Sequence, residues 1–186
     1  MANSISGKKV AFLLTNGVEQ VELTEPWRAV EEAGGQPVLV SPASGKVTAM
    51  KGDWDHGDSF TVDVPLAQAK AEDFDALVLP GGTVNADRMR LEPEGIALVR
   101  AFADAGKPIS AICHGPWILI EANAVEGREM TSYPSLATDL RNAGATWVDR
   151  EVVTDRGLTT SRRPSDLEAF CAKMLEEIAE GIHARR

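Results

Sequence analysis

The sequence predicts an α/β fold with a mostly parallel sheet and helices on both of its faces. Three observations carry that expectation. Short apolar runs of strand length recur along the chain, amphipathic stretches of helix length separate them, and glycine or proline marks most junctions. Strands covered on both faces read as continuous apolar runs, which is the form seen here. The 186 residues are 44% hydrophobic and 25% charged, enough for one domain with a substantial core. A single domain over 1–186 is expected, with 1–7 as a flexible N-terminus.

KKVAFLL (8–14) is the first core strand, ended by TNG. VEQVELTEPWRAVEEAGG (18–35) is helical, with Pro26 expected to kink or restart it and Gly34 and Gly35 to end it. QPVLVSP (36–42) is a second strand. The stretch 45–66 holds short β-prone runs broken by glycine and aspartate, as in a small peripheral hairpin. FDALVLPGG (74–82) is a third core strand stopped by a glycine pair. EPEGIALVRAFADAG (92–106) is a helix with Ile96, Val99 and Ala103 on one face. KPISAIC (107–113) is the next strand and GPWILIEANA (115–124) the next helix. REMTSY (128–133) reads as strand, SLATDLRNAG (135–144) as helix, and 146–162 as strands with a turn at Asp155-Arg156-Gly157. The last helix, 164–182, offers Ser165 and Glu168 as a capping box.

A net charge of -9 argues against nucleic acid or an anionic membrane as partner, since both need a basic face. No apolar run reaches the length of a membrane span, and two distant cysteines do not form a disulfide framework, so a cytoplasmic protein is expected. No glycine-rich phosphate loop is present, so no nucleotide cofactor is implied. His56 among Asp53, Asp55 and Asp58 has no metal-ligand spacing and reads as a surface loop, so no metal is expected.

In a parallel sheet the ligand sits at the carboxyl ends of the strands. TNGVEQ, PGGTVN and CHGP should therefore meet. Ala111, Cys113 and Gly115 have the small-x-nucleophile-x-Gly form of a nucleophile elbow, with cysteine as the nucleophile. The helix that follows should favour thiolate. The His114 N–H, with Gly82 or Thr83 from the neighbouring loop, could hold an oxyanion. Cys171, in step with Leu167 and Met174, reads as core packing.

Together AICHGPWIL, PGG, GVEQVELTEP, TSYPS with DLRNAGATWVD, and TTSRRPSDLEAF resemble the PfpI family of intracellular proteases/amidases. That family lies in the DJ-1/PfpI branch of the class I glutamine amidotransferase-like superfamily. The resemblance implies a flavodoxin-like sandwich, a homodimer or higher homo-oligomer, and a reactive elbow cysteine. Its members are described as proteases, glyoxalases, deglycases, chaperones or stress proteins. It implies a glutamate near the cysteine, matched here by Glu19, with Glu22 and Glu25 left as a solvated helix face. It also implies an acid from a neighbouring subunit that orients the histidine, matched by Asp87.

Three functions follow as expectations. One is a cofactor-free cysteine enzyme in which Cys113 attacks a carbon while His114 or Glu19 moves protons, on a small reactive carbonyl or on a peptide or amide bond. The second is a redox-responsive stress protein that uses oxidation of Cys113. The third is a chaperone-like dimer without catalysis.

Overall fold

The computed structural model describes residues 4–183. In chain order the elements are β1 (Lys9–Leu13), α1 (Gln20–Glu32), β2 (Gln36–Ser41), β3 (Lys46–Lys51), β4 (Asp55–Thr61), β5 (Val64–Pro65), β6 (Ala76–Leu79), α2 (Thr83–Met89) and α3 (Pro93–Asp104). They continue with β7 (Ile109–Ile112), α4 (Pro116–Glu121), β8 (Glu129–Met130), α5 (Ala137–Asn142), β9 (Thr146–Trp147), β10 (Val152–Asp155), β11 (Leu158–Ser161) and α6 (Leu167–Glu180). The central sheet has seven strands in the order β10-β11-β7-β6-β1-β2-β5. Its pairings are parallel except for the antiparallel edge pair β10–β11. The expected mostly parallel sheet and small antiparallel hairpin, β3–β4, are both present.

The pleat of β1 divides the core. Ala11 and Leu13 join Leu77, Leu79 and Ala111 under α3 and α4, whereas Val10 and Phe12 join Val78 and Ile112 under α1 and α6. Each face of the sheet is thus sealed by helices, and the carboxyl ends of β1, β6 and β7 are left to carry loops.

Several local expectations are corrected. Pro26 does not restart α1, which runs through it as one helix. Pro26 is itself buried with Leu23 and Val30, and Trp27 lies against Phe12 at 5.1 Å, so packing outweighs the lost helical hydrogen bond. The strand expected at 128–133 shrinks to β8, paired only with β9. The Ser165–Glu168 box does not form, because a 3-10 turn precedes α6 and Asp166 turns its carboxylate onto Arg162. Of the N-terminal stretch expected to be flexible, residues 1–3 lie outside the described residues. Ile5, by contrast, is buried and its N–H donates to Ala33 O at 3.0 Å. Among the described residues no helix is long and apolar enough to cross a membrane.

Candidate active site

Cys113 occupies the turn between β7 and α4 with φ of +62°, a left-handed conformation that costs a non-glycine residue free energy. The strain is held by backbone hydrogen bonds on both sides. Cys113 N–H donates to Ser161 O at 3.0 Å, and Cys113 O accepts from Tyr133 N–H at 2.8 Å. This bend turns adjacent side chains toward each other, so that His114 Nδ1 lies 3.2 Å from Cys113 Sγ. The imidazole is clamped between Tyr133, stacked at 4.8 Å, and the edge of Trp117 at 5.3 Å. The two neighbouring side chains, which usually diverge, are therefore in contact.

The carboxyl group beside the sulfur is that of Glu22. Glu19 is displaced from this role. Glu19 is still in extended backbone, bridged to Met50, and its carboxylate leaves toward the β3–β4 hairpin. There it accepts the N–H groups of Gly52 at 3.1 Å and Asp53 at 3.3 Å. Glu22 sits in the first turn of α1, where side chains tilt back toward the helix N-terminus and so over the strand ends. It is fully buried, and neither oxygen makes a hydrogen bond of ordinary geometry. The groups that face it are the Cys113 thiol and the Gly81 N–H. Gly81 makes this approach possible: a Cβ there would collide with Glu22 Oε2 and come within 2.6 Å of Cys113 Cβ. Glu25, the other glutamate read as solvated, pairs with Arg28 on the helix surface.

Burial pushes the Glu22 carboxyl up to about 8, and the charges of Glu19 and Asp53 push the same way. The Cys113 thiol is also pushed up, first by burial and then by the Glu22 charge, against the N–H groups of Gly82 and His114. The two groups form one coupled pair that holds at most one charge near neutrality. With the proton on Glu22, repulsion disappears and the carboxyl O–H faces the sulfur. Burial holds His114 below its usual range, so it is a neutral base, with the Asp53 charge opposing that shift.

The expectation of a free thiolate under a helix end is thereby corrected. α4 has only six residues, and Cys113 is 7% exposed, so desolvation outweighs the helix field. Burial therefore favours the thiol form of Cys113 over the thiolate.

The N–H groups aimed at the sulfur are those of Gly82 and His114. Gly82 has φ of +91°, and a Cβ there would come within 2.6 Å of Glu19 N. Thr83 is removed from the expected oxyanion donors, since its N–H already donates to Asp53 Oδ1 at 3.0 Å. Its hydroxyl donates to Asp53 Oδ2 at 2.7 Å and lies 3.4 Å from His114 Nε2. Asp87 is exposed on α2. Among the described residues the side-chain hydrogen-bond partners of His114 are Cys113 and Thr83, and Asp87 is not one of them. His56 is exposed on β4, and Cys171 packs on the α1–α6 side of the core with its thiol pushed up to about 12 by burial.

Asp53 was not foreseen as part of the site. It lies 60 residues before Cys113 (113 - 53), in a hairpin turn whose sequence carries no local catalytic pattern.

Comparison with known proteins places the chain in a family. The profile of the DJ-1/PfpI family matches residues 8–177. The deglycase PH1704 of Pyrococcus horikoshii is 41% identical over 168 residues, which is 90% of this chain and 98% of that protein. YraA of Bacillus subtilis, named provisionally as a cysteine protease, is 41% identical over 88% of this chain and 94% of its own. Among solved structures, DJ-1beta of Drosophila melanogaster superposes with a TM-score of 0.83 at 31% identity, over 92% of this chain and 90% of that one. A two-domain protein of Anabaena variabilis with DJ-1/ThiJ/PfpI-like and ferritin-like domains gives 0.86 at 34% identity over 92% of this chain, which spans about half (48%) of that protein. With a family profile over most of its length and relatives matched nearly end to end, this chain belongs to the DJ-1/PfpI family.

Proposed function

We propose that this protein is a cofactor-free, cysteine-dependent enzyme acting on reactive carbonyls: a 2-oxoaldehyde such as methylglyoxal, or the adduct such an aldehyde forms on a protein. The observation that carries the reading is one sulfur served by two different proton carriers, a neutral His114 at 3.2 Å and a buried, protonated Glu22. Two relatives, from Pyrococcus horikoshii and Pyrococcus furiosus, are named deglycases.

In this reading the Cys113 proton passes to His114 Nδ1 as the sulfur forms a bond to the aldehyde carbon. The carbonyl pair moves to oxygen, beside the Gly82 and His114 N–H groups, and takes the Glu22 proton. The Glu22 carboxylate then removes the C–H proton of the hemithioacetal, while the neighbouring carbonyl oxygen takes the proton held on His114. Return of the Glu22 proton to that second carbon, with loss of the hydroxyl proton to His114, leaves a thioester. Water breaks the S–C bond, giving its hydroxyl to the acyl carbon and a proton to Glu22, as His114 reprotonates the sulfur. The net change is one water added and a 2-hydroxy acid released. Two unpaired cysteines suit a reducing, cytoplasmic compartment.

Amide hydrolysis is the second reading, favoured by the Cys113–His114 contact, which could protonate a leaving amine. A redox-sensing role is disfavoured because burial keeps the sulfur protonated. Purified protein assayed on methylglyoxal and on a fluorogenic peptide separates these readings. Consumption of methylglyoxal that disappears in Cys113→Ala supports the proposal. Peptide cleavage alone, or turnover that survives Cys113→Ala, overturns it.

A further inference from the structure

The hydrogen-bond pattern around Thr83 fixes where its one hydroxyl proton goes. The Asp53 carboxylate offers only acceptors, and it takes the Thr83 N–H at 3.0 Å and the Thr83 O–H at 2.7 Å. The Thr83 oxygen can then only accept from the group on its other side, which is His114 Nε2 at 3.4 Å. A neutral imidazole carries one N–H. If that proton is on Nε2, Nδ1 presents a lone pair to the Cys113 thiol 3.2 Å away. The charge of Asp53 lies two hydrogen bonds behind the imidazole, where it would favour the imidazolium formed when the thiol gives up its proton. The turn that carries Asp53 is itself held: Asp53 has φ of +63°, and the Glu19 carboxylate binds its N–H and that of Gly52.

We propose that Asp53 and Thr83 are positioning residues for Cys113, with Asp53 aligning Thr83 so that it accepts the His114 Nε2–H and leaves Nδ1 free as the base. The orienting acid of the site is thus supplied within one protomer, and Asp87 of a neighbouring subunit is not required. Glu19 supports the same relay by holding the hairpin turn. This inference rests on the reading of Cys113 as a nucleophile activated by His114, but it does not depend on the substrate.

Asparagine at position 53 gives an opposite instruction. Its carboxamide oxygen can keep the Thr83 N–H, but its NH2 must donate to the Thr83 oxygen. The Thr83 hydroxyl proton then points at His114 Nε2 and the imidazole proton moves to Nδ1, facing the sulfur. In serine proteases the corresponding change of acid to amide leaves the geometry intact, imposes the wrong tautomer and lowers kcat about 10⁴-fold. The contact to Nε2 is longer here, so a loss of roughly 10- to 100-fold is expected.

The test needs no substrate. Full-length protein is alkylated with iodoacetamide across a pH series, the rate at Cys113 is followed by mass spectrometry, and the His114 tautomer is read by ¹⁵N NMR. Wild type should show the Nε2–H tautomer. Asp53→Asn should show Nδ1–H and a slower, pH-shifted alkylation. Thr83→Val should be slowed and Thr83→Ser restored, while Asp87→Asn should match wild type. An Nδ1–H tautomer in wild type overturns the proposal even if no variant folds. So does an Asp53→Asn profile that overlays wild type, or a loss confined to Asp87→Asn. A wild-type protein that shows this relay but consumes no carbonyl would sink the proposed function and leave the relay standing.

Discussion

Replacing Glu22 by glutamine should change how the stability of the fold depends on pH. The carboxyl is fully buried and its proton affinity is raised from an ordinary 4.5 to about 8. Between those values the native chain holds a proton that the unfolded chain has released. Stability therefore falls as pH rises through this window, because the native state binds more protons. At about 1.4 kcal/mol per pH unit the accumulated cost approaches 5 kcal/mol by pH 8, a large share of the stability of a domain. A glutamine side chain has the same shape and does not titrate. The two proteins should thus be similar near pH 5, and the Glu22→Gln protein should be the more stable by several kcal/mol near pH 8. His114 contributes a slope of opposite sign, since a histidine held neutral by burial adds stability as pH rises toward 6.5. That slope is common to both proteins and cancels in the difference. Urea unfolding at a series of pH values reads the difference directly. Parallel curves across the window would show that Glu22 carries no raised proton affinity, and the pairing with Cys113 would fail with it.

Other outcomes follow from the same contacts. Gly81→Ala should place a methyl between Glu22 and Cys113, costing about 1–3 kcal/mol by overpacking, with a matching loss of Cys113 alkylation; an unaltered unfolding midpoint would contradict the close approach. Asp166→Ala should cost about 1–3 kcal/mol, because the Arg162 guanidinium loses two bonds at 2.9 Å to a buried carboxylate while keeping its pair with Asp149. Burial pushes the Asp166 carboxyl up, but the hydrogen bonds and charge of Arg162 outweigh it and hold the group below its usual range, so its stabilisation is lost as acid protonates it, and Asp166→Asn should flatten the acid limb of the unfolding curve. Limiting peroxide should not single out Cys113 over Cys171, since burial pushes both thiols up; fast, selective oxidation of Cys113 would favour the redox reading instead.

The parts of the fold legible in the sequence were those with strong alternation. β1, β6 and β7 are apolar runs ended by glycine or by the elbow, and their order in the chain sufficed to place three loops at one end of the sheet. The short β8 and the uninterrupted α1 were not legible, because tertiary packing decided both. At the site, Cys113 could be read from its flanking small residues. The choice between Glu19 and Glu22 turned on side-chain direction: both lie near the start of α1, but only the residue one turn inside tilts back over the strand ends. Asp53 had no local signal, since its role depends on a hairpin that lies 60 positions before Cys113 (113 - 53) in the chain.

In the proposed reaction Cys113 forms the bond to the carbonyl and Glu22 moves the proton that turns the adduct into product. Rapid-quench mass spectrometry of the Glu22→Gln protein with methylglyoxal tests it most directly. A covalent adduct should accumulate on the Cys113 peptide with little 2-hydroxy acid released, whereas wild type releases product and Cys113→Ala forms neither. Product formed by Glu22→Gln at the wild-type rate, or an adduct on another residue, would contradict it.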